Sequence, residues 1–258
     1  MHRLYSPSLR YAASHGSKID FSMSWKVFVN YVLDITVEAY EKMRNEAQLY
    51  SDYGEETLSA ILAEDYIEAI SNNHPQMLQL RVHVEVPIHT PAMTRGSEPV
   101  AIRKARKIDI QLYGSWDREY RRRYFAWECK KISDRETNSN LITEYVSEGI
   151  YRYCDNEYSA EMGDAGMIGY VLAGGTDAIV AGINDSMVSL RRERALPPDE
   201  QLLRTSPIQT LEHVFESTHY RVANSSRIHL YHLFLAFNWV TTQPILDVQS
   251  TLSTVSSN

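Results

Sequence analysis

The spacing of apolar residues predicts two helices and then a strand in the first third of the chain. Positions 24–50 and 55–75 carry apolar side chains at helical spacing. The second stretch ends at Asn-Asn-His-Pro, a typical helix stop. Residues 78–90 alternate apolar and polar side chains and therefore predict a strand.

The rest of the chain changes repeatedly between strand-like and helix-like patterns. Two strands joined by a short hairpin precede a helix, a buried strand, another helix and a C-terminal strand, predicted at 106–114, 121–132, 140–154, 165–175, 176–196 and 227–237. Gly166 and Gly169 fall inside the buried strand, which we expect to be central, and indicate close backbone approach there. This order of elements predicts a mixed α/β sheet flanked by helices.

Composition predicts a single domain. No linker rich in Pro, Gly or Ser divides residues 1–243, and the Ser- and Thr-rich stretch 244–258 has the composition of a flexible tail. The N-terminus lacks the apolar segment of a signal peptide, and no stretch of about 18 apolar residues is long enough to cross a membrane. Two cysteines are too few for a disulfide framework, so we expect a cytoplasmic protein without a membrane partner.

The charge of the chain is unevenly distributed. The net charge is −7, yet the segment from Arg95 to Arg135 holds 12 basic and 6 acidic residues, leaving 14 basic and 27 acidic residues elsewhere. A basic segment in an acidic chain can bind a polyanion such as nucleic acid. On charge alone, a solvated hairpin explains the segment equally well, and both interpretations stay open.

Three charged residues interrupt the apolar runs of the two hairpin strands. Asp109 lies in the first strand, and Glu128 and Lys130 lie in the second, on one face because strand side chains alternate. A hairpin turn in the middle of the connection, or one residue later, places Asp109 on the same face, opposite Ala126 or Glu128. Burying such charges costs several kcal/mol unless they are paired or bind a metal.

Two chemical explanations fit these three charges. Neighbouring carboxylates repel unless a divalent cation lies between them, and their hard oxygens suit Mg²⁺ or Mn²⁺. The ammonium of Lys130 could then orient a water molecule and stabilise negative charge on a phosphoryl group. The alternative is a cross-strand ion pair of Asp109, Glu128 and Lys130 on a solvated face.

The arrangement resembles the PD-(D/E)xK, or restriction-endonuclease-like, nuclease superfamily. Ile108-Asp109 on one strand is followed, after 18 residues, by Glu128-Cys129-Lys130 within an apolar strand. Ile108 stands where the family name places Pro. The order of predicted strands also matches the superfamily's core.

This resemblance implies a fold and an activity. It covers about residues 54–175, with a helical addition at 20–50 and a C-terminal addition at 176–243 that includes a strand. Members are mostly Mg²⁺-dependent enzymes that hydrolyse DNA in restriction, repair or antiphage systems. We therefore expect a Mg²⁺- or Mn²⁺-dependent DNA nuclease, the effector of a bacterial antiviral defence or restriction system.

The resemblance also implies roles for individual residues. Asp109, Glu128 and the main-chain carbonyl of Cys129 are the implied metal ligands, and Lys130 is the implied catalytic lysine. The superfamily tends to place a further Glu on the helix before the first strand, and Glu55 matches that position.

The position of Glu55 around the helix supports this residue, rather than Glu56, as the matching glutamate. On a helical wheel Glu55 and Asp65 fall on the apolar side of the second helix, whereas Glu56 points away. A Glu in the first turn also complements the helix dipole without any catalytic role.

Basic residues near the three charges are candidates for phosphate contacts. Arg152, on the following helix, can reach a phosphate or form a salt bridge with Glu148, and both alternatives stay open. The other candidates lie at or beside the hairpin and would contact phosphates without reading sequence: Arg118, Arg121, Arg122, Arg123 and Lys131.

A second class of function is compatible with the same residues. A catalytically inactive nuclease-like fold could serve as a DNA-binding or scaffold subunit of a larger complex. For either class, the acidic remainder of the chain opposes unaided binding to DNA, so we expect a partner protein such as a helicase or sensor subunit. The sequence leaves homo-oligomerisation open.

Overall fold

The computed structural model describes residues 25–50, 52–75, 79–87, 107–114, 123–134, 139–155, 157–158, 162–194, 202–204, 214–221 and 224–237. A mixed β-sheet lies between two layers of helices, so the predicted α/β class is confirmed. The strands are β1 Leu80–Pro87, β2 Lys107–Gly114, β3 Phe125–Ser133, β4 Asp164–Ala173, β5 Leu203–Arg204, β6 Val214–Arg221 and β7 Ser226–Ala236.

The sheet combines antiparallel edges with a parallel centre. Its strand order is β1-β2-β3-β4-β7-β6-β5. The β1–β2 and β2–β3 pairs are antiparallel, β3–β4 and β4–β7 are parallel, and β7–β6 and β6–β5 are antiparallel. Each parallel pair needs a crossover, and helices supply it after β3 and after β4.

Among the described residues, four helical stretches cover the sheet. Helix α1 spans Trp25–Glu46, and α4 spans Thr176–Arg194. Two others contain a π-helical segment between α-helical ends. They are α2, formed by Glu55–Ala60, Ile61–Ile67 and Glu68–Asn72, and α3, formed by Ser139–Tyr145, Val146–Ile150 and Tyr151–Cys154.

The two faces of the sheet carry separate cores. Phe125, Trp127 and Cys129 of β3 pack with α1 and α2, whereas Ala126 and Ile132 pack with α3 and α4. This alternation along β3 agrees with the face assigned from the sequence. Truncating a fully buried aromatic residue such as Trp127 to Ala would cost about 3–5 kcal/mol.

The central strand β4 depends on small residues. An added Cβ at Gly166 would lie 2.1 Å from the Trp127 ring, and one at Gly169 would lie 2.8 Å from the Phe234 ring. Both glycines are closely packed, as predicted, but the nearest atoms belong to aromatic side chains and not to the backbone. Gly174, just after the strand, has a φ of 94°, which an L-residue rarely adopts.

The C-terminal part of the sheet is larger than predicted. The sequence pattern predicts one strand there, but the structure adds β6 and the short β5 beside β7. Strand β6 was not predicted because several of its buried positions are polar: Ser217, His219 and Arg221. Hydrophobic periodicity cannot detect a strand that buries polar side chains.

Candidate active site

The hydrogen-bonded pairing of β2 with β3 stops beside the predicted charges. Within the described strands, the last ladder pair joins Ile110 to Trp127. If the same register is extended by one residue, Asp109 lies opposite Glu128. The sequence predicted either Ala126 or Glu128 at this position. From there β3 continues to Ser133 without a ladder partner in the described part of β2.

Two carboxylates accept hydrogen bonds from the backbone of β3 along this edge. Oδ2 of Asp109 accepts a hydrogen bond of 2.7 Å from the main-chain N–H of Cys129, and Oε2 of Glu55 accepts one of 2.7 Å from that of Lys131. The N–H and C=O of one strand residue point to the same side. The carbonyl of Cys129 therefore also faces the gap between the two strands.

Strand β1 is irregular at the residue that lies opposite Asp109. Its pairing with β2 skips Glu85, which falls opposite Asp109 and has a φ of 50°. This left-handed conformation is uncommon for a residue with a side chain and costs roughly 1–3 kcal/mol. The Glu85 carboxylate lies 2.6 Å from the ammonium of Lys107, a residue that the sequence pattern did not single out. Backbone irregularity on both sides of Asp109 is typical of functional sites.

Glu128 is deeply buried, with 2% of its side chain exposed. Its Oε1 lies 2.9 Å from Nζ of Lys130 and 3.3 Å from Nη1 of Arg152. Its Oε2 is shielded from solvent and has no hydrogen-bond partner among the described residues. Burying an unpartnered charged oxygen is costly. We call Glu55, Asp109, Glu128, Lys130 and Arg152 together the gap cluster.

Burial and mutual charge shift the pKa values of Asp109, Glu128 and Lys130 in the gap cluster. Burial, and then the charge of Asp109, raise the pKa of Glu128 to about 8 against the opposing effects of Lys130 and Arg152. Burial also raises the pKa of Asp109, which Lys130 partly offsets. Burial lowers the pKa of Lys130, but the neighbouring carboxylates, with Glu128 first, raise it above its usual value. The carboxylates therefore favour additional positive charge, and the lysine stays an ammonium.

Arg152 joins the gap cluster to helix α3 and the segment after it. Its Nη1 also donates a 2.7 Å hydrogen bond to the hydroxyl of Tyr158, and its Nη2 pairs with Glu148. The predicted salt bridge of Arg152 with Glu148 is therefore confirmed, and the predicted phosphate contact stays a prediction. Burial raises the pKa of Tyr158 to about 12, so the phenol stays neutral. Tyr158 lies outside the periodic segments, where no sequence signal marked it.

Helix α2 brings Glu55, but not Asp65, to the sheet. Oε1 of Glu55 lies 3.5 Å from Nζ of Lys130, whereas Glu56 and Asp65 are exposed. The helical-wheel position of Asp65 was therefore wrong. Ile61–Ile67 is π-helical, and the wider turn rotates later residues relative to a regular α-helical count.

The oxygens in the gap suit a hard divalent cation. The residues implied as ligands offer the carboxylates of Asp109 and Glu128, and the carbonyl of Cys129 faces the same gap. No three His, Cys, Asp or Glu side chains in the described part of the chain are arranged to hold a metal ion together. Two carboxylates and one carbonyl with water form a normal Mg²⁺ shell, however, because Mg²⁺ usually keeps several water ligands. The shielded Oε2 of Glu128 is free to act as a metal ligand, so the residues present fit the ion.

Only part of the predicted nucleic-acid face can be placed. Arg118, Arg121 and Arg122 lie outside the described residues. Arg123 is exposed just before β3, and the partly exposed Lys131 follows Lys130 on that strand. The described residues therefore include three of the six predicted phosphate contacts: Arg123, Lys131 and Arg152.

Comparison with known proteins adds no relative. No protein-family model matches the chain, and no match was found among the curated proteins or the solved structures. Among the described residues, no helix combines the length and apolar character required to traverse a bilayer.

Proposed function

We propose that the protein is a metal-dependent nuclease of the PD-(D/E)xK type that hydrolyses DNA phosphodiester bonds. The observation that carries this proposal is the opened β2–β3 ladder. There Asp109 and Glu128 lie on adjacent strands beside the Cys129 carbonyl, and Glu128 keeps one shielded oxygen without a described partner. A structural ion pair would not require an opened ladder or an unpartnered oxygen.

This geometry supports a proposed set of metal ligands. Asp109, Glu128 and the carbonyl of Cys129 would hold Mg²⁺ or Mn²⁺. When bound, such an ion activates water and withdraws charge from a phosphoryl group. Asp109 is positioned for this role by the Cys129 N–H, which fixes one of its oxygens at 2.7 Å.

The cationic residues have separate roles in the proposed reaction. Lys130 orients the attacking water and stabilises charge that develops on the phosphate. Arg152 is held by Glu148 and Tyr158 beside Glu128, which places a fixed guanidinium where a phosphate oxygen can be bound. Glu55 holds the β3 backbone through the N–H of Lys131 and supports the ammonium of Lys130, which lies 3.5 Å from its Oε1.

The basic hairpin would contact the DNA backbone. Phosphate contacts supply affinity that is independent of sequence and falls with salt. Arg121→Glu combined with Arg123→Glu should therefore weaken binding to all DNA sequences similarly and flatten its salt dependence. The acidic remainder of the chain supports delivery by a partner protein in a defence or restriction system. Tight binding of one DNA sequence by the isolated chain at physiological salt would contradict the partner.

The proposal is tested by a cleavage assay with single- and double-stranded DNA. Cleavage should require Mg²⁺ or Mn²⁺, stop on addition of EDTA, and be lost in Asp109→Ala and Glu128→Ala. Circular dichroism of both variants would establish that the fold is retained. Full cleavage by either folded variant would contradict the site.

One observation favours a second candidate function, an inactive DNA-binding or scaffold subunit. Glu128 already contacts two cations, Lys130 and Arg152, as in a structural ion network. In that case the protein would bind DNA but show no cleavage with either metal ion, and Asp109→Ala would bind DNA as the wild type does.

A further inference from the structure

Lys130 sits where a cation is expected. Its Nζ lies 2.9 Å from Oε1 of Glu128, 2.9 Å from the carbonyl oxygen of Cys129 and 3.5 Å from Oε1 of Glu55. Only 13% of the side chain is exposed. The first two of these groups are also proposed metal ligands. The ammonium therefore binds the same groups that a divalent ion would use.

The two cations repel each other when they share these groups at close range. Mg²⁺ binds oxygen at about 2.0–2.1 Å. An ammonium in hydrogen-bond contact with the same groups would lie only a few ångströms from the ion. Repulsion between positive charges is strong where water is largely excluded. This repulsion favours separation of the two cations, and the lysine, with its flexible four-carbon stem, is the one able to move.

Glu55 offers the lysine a second position. Its Oε1 lies 3.5 Å from Nζ of Lys130, while its Oε2 is held by the N–H of Lys131. Glu55 is more exposed than Glu128, at 35% against 2% of the side chain, so movement toward it carries the ammonium outward. A phosphate entering from solvent would meet the lysine there.

We propose that Lys130 occupies the cation position formed by Glu128 and Cys129 in the metal-free protein and moves toward Glu55 when a divalent cation binds. The proposal rests on the proposed function, because it requires a divalent ion at Asp109 and Glu128. It adds that the chain's own ammonium competes with the ion. Metal binding thereby releases the lysine for its role at the phosphate.

Calorimetric titration with Mn²⁺ and Mg²⁺, without DNA, tests the competition. Lys130→Met removes the competing ammonium and should bind either ion more tightly by roughly ten- to a hundredfold, the range in which neighbouring groups tune metal sites. Lys107→Met is the matched control. It also removes a positive charge near Asp109, but its ammonium contacts Glu85 instead of the proposed ligands. Its affinity should stay within about twofold of the wild type, since exposed charges are screened.

The outcomes separate this inference from the proposed function. Metal binding by the wild type with equal or weaker binding by Lys130→Met would overturn the lysine competition and leave the nuclease proposal intact. An equal gain in Lys107→Met would also overturn it, because general electrostatics would explain the change. Absence of metal binding in every variant would overturn both proposals.

A second measurement needs no substitution. Reductive methylation followed by mass spectrometry reports the accessibility of individual lysines in the full chain. Methylation of Lys130 should accelerate several-fold on addition of Mn²⁺, whereas that of Lys131 should not change. An unchanged rate at Lys130, at a metal concentration that saturates the calorimetric signal, would show that the ammonium does not move.

Discussion

Two clusters of carboxylates and basic groups lie on this sheet, and they differ in how the backbone supports them. The gap cluster stands where β2 and β3 separate. The second, which we call the histidine cluster, consists of Trp25, Asp164, Glu216 and His229 and lies on β4, β6 and β7 with part of α1. Both contain carboxylates and a basic group on neighbouring strands.

The histidine cluster is supported by intact ladders and has paired oxygens. His229 is a ladder partner of both Asp164 and Thr218. Its ring nitrogens lie 3.5 Å from Asp164 and 2.9 Å from Glu216, and the other oxygen of Asp164 accepts a 2.6 Å hydrogen bond from Trp25. All three charged side chains are partly exposed. This is the arrangement of a structural ion-pair network.

The gap cluster differs from the histidine cluster in three respects. Its ladder is open, its central carboxylate is buried, and one oxygen of Glu128 has no described partner. The comparison shows that charged residues in strands do not by themselves mark a site. An opened ladder combined with an unpartnered buried oxygen is costly, and this cost favours a compensating ligand, as the proposed function requires.

The largest expected difference between the clusters is in catalysis. Asp109→Asn and Glu128→Gln should each reduce metal-dependent DNA cleavage by roughly a hundredfold or more, since losing several kcal/mol of charge stabilisation spans two or more factors of ten. Asp164→Asn and Glu216→Gln should leave the rate within about twofold, because surface pairs contribute little. Single-turnover cleavage assays measure both. Equal losses in the two clusters would remove the distinction.

Within α2, a smaller effect should separate two adjacent glutamates. Glu55→Gln should lower the cleavage rate by about tenfold, in the range of other groups that support metal sites. Glu56→Gln, at an exposed position of the same turn, should behave as the wild type. The rates are measured at saturating metal. A loss at Glu56 as large as that at Glu55 would show that helix charge, and not contact with Lys130 and Lys131, matters.

Stability should change in opposite directions in the two clusters. A raised carboxyl pKa means that the folded protein binds the proton more tightly than the unfolded chain, so ionisation of Asp109 lowers the free energy of unfolding at neutral pH. Asp109→Asn should therefore be at least as stable as the wild type without metal. Asp164→Asn should lose about 0.5–1 kcal/mol, because it weakens a partly exposed ion pair. Urea denaturation at pH 7 compares them, and a marked loss of stability in Asp109→Asn would contradict the assignment.

The smallest expected effect is the contribution of the histidine cluster to the pH dependence of stability. The hydrogen bond to Asp164, and then Glu216, raise the pKa of His229 against the effect of burial. This stabilisation is fully present below the unfolded pKa of about 6.5 and is lost as pH rises through the higher folded value. The melting temperature of the wild type should fall over that range, and His229→Gln should remove this part of the decline. An unchanged pH profile in His229→Gln would show that the imidazole is not charged in the folded protein.

Much of the fold follows from local pattern. Helical spacing and alternation indicated the four helical regions, strands β1 to β4 and β7, and the close packing at Gly166 and Gly169. Asp109, Glu128 and Lys130 could be grouped from the sequence because alternation and a short hairpin leave few possible registers. The catalytic roles of these residues remain predictions.

Other features depend on contacts between distant parts of the chain. Strand β6 buries Ser217, His219 and Arg221, whose burial is acceptable only with partners such as His232 of β7 and the carbonyl of Tyr153. The π-helical turn in α2 changed the predicted phase of Asp65. Neither could be read from hydrophobic periodicity, which records only where apolar side chains are buried.

The sequence by itself determined the order of elements and the placing of two acidic residues and a lysine on adjacent strands. Only the tertiary structure decided that the ladder between β2 and β3 ends before Asp109, and that carboxylates of Asp109 and Glu55 accept hydrogen bonds from the β3 backbone. It also decided that Arg152, which donates a hydrogen bond to the Tyr158 hydroxyl, contacts Glu128. The physical reason is that alternation specifies the face of a strand on which a side chain lies. Whether the neighbouring strand stays paired there depends on what packs around both.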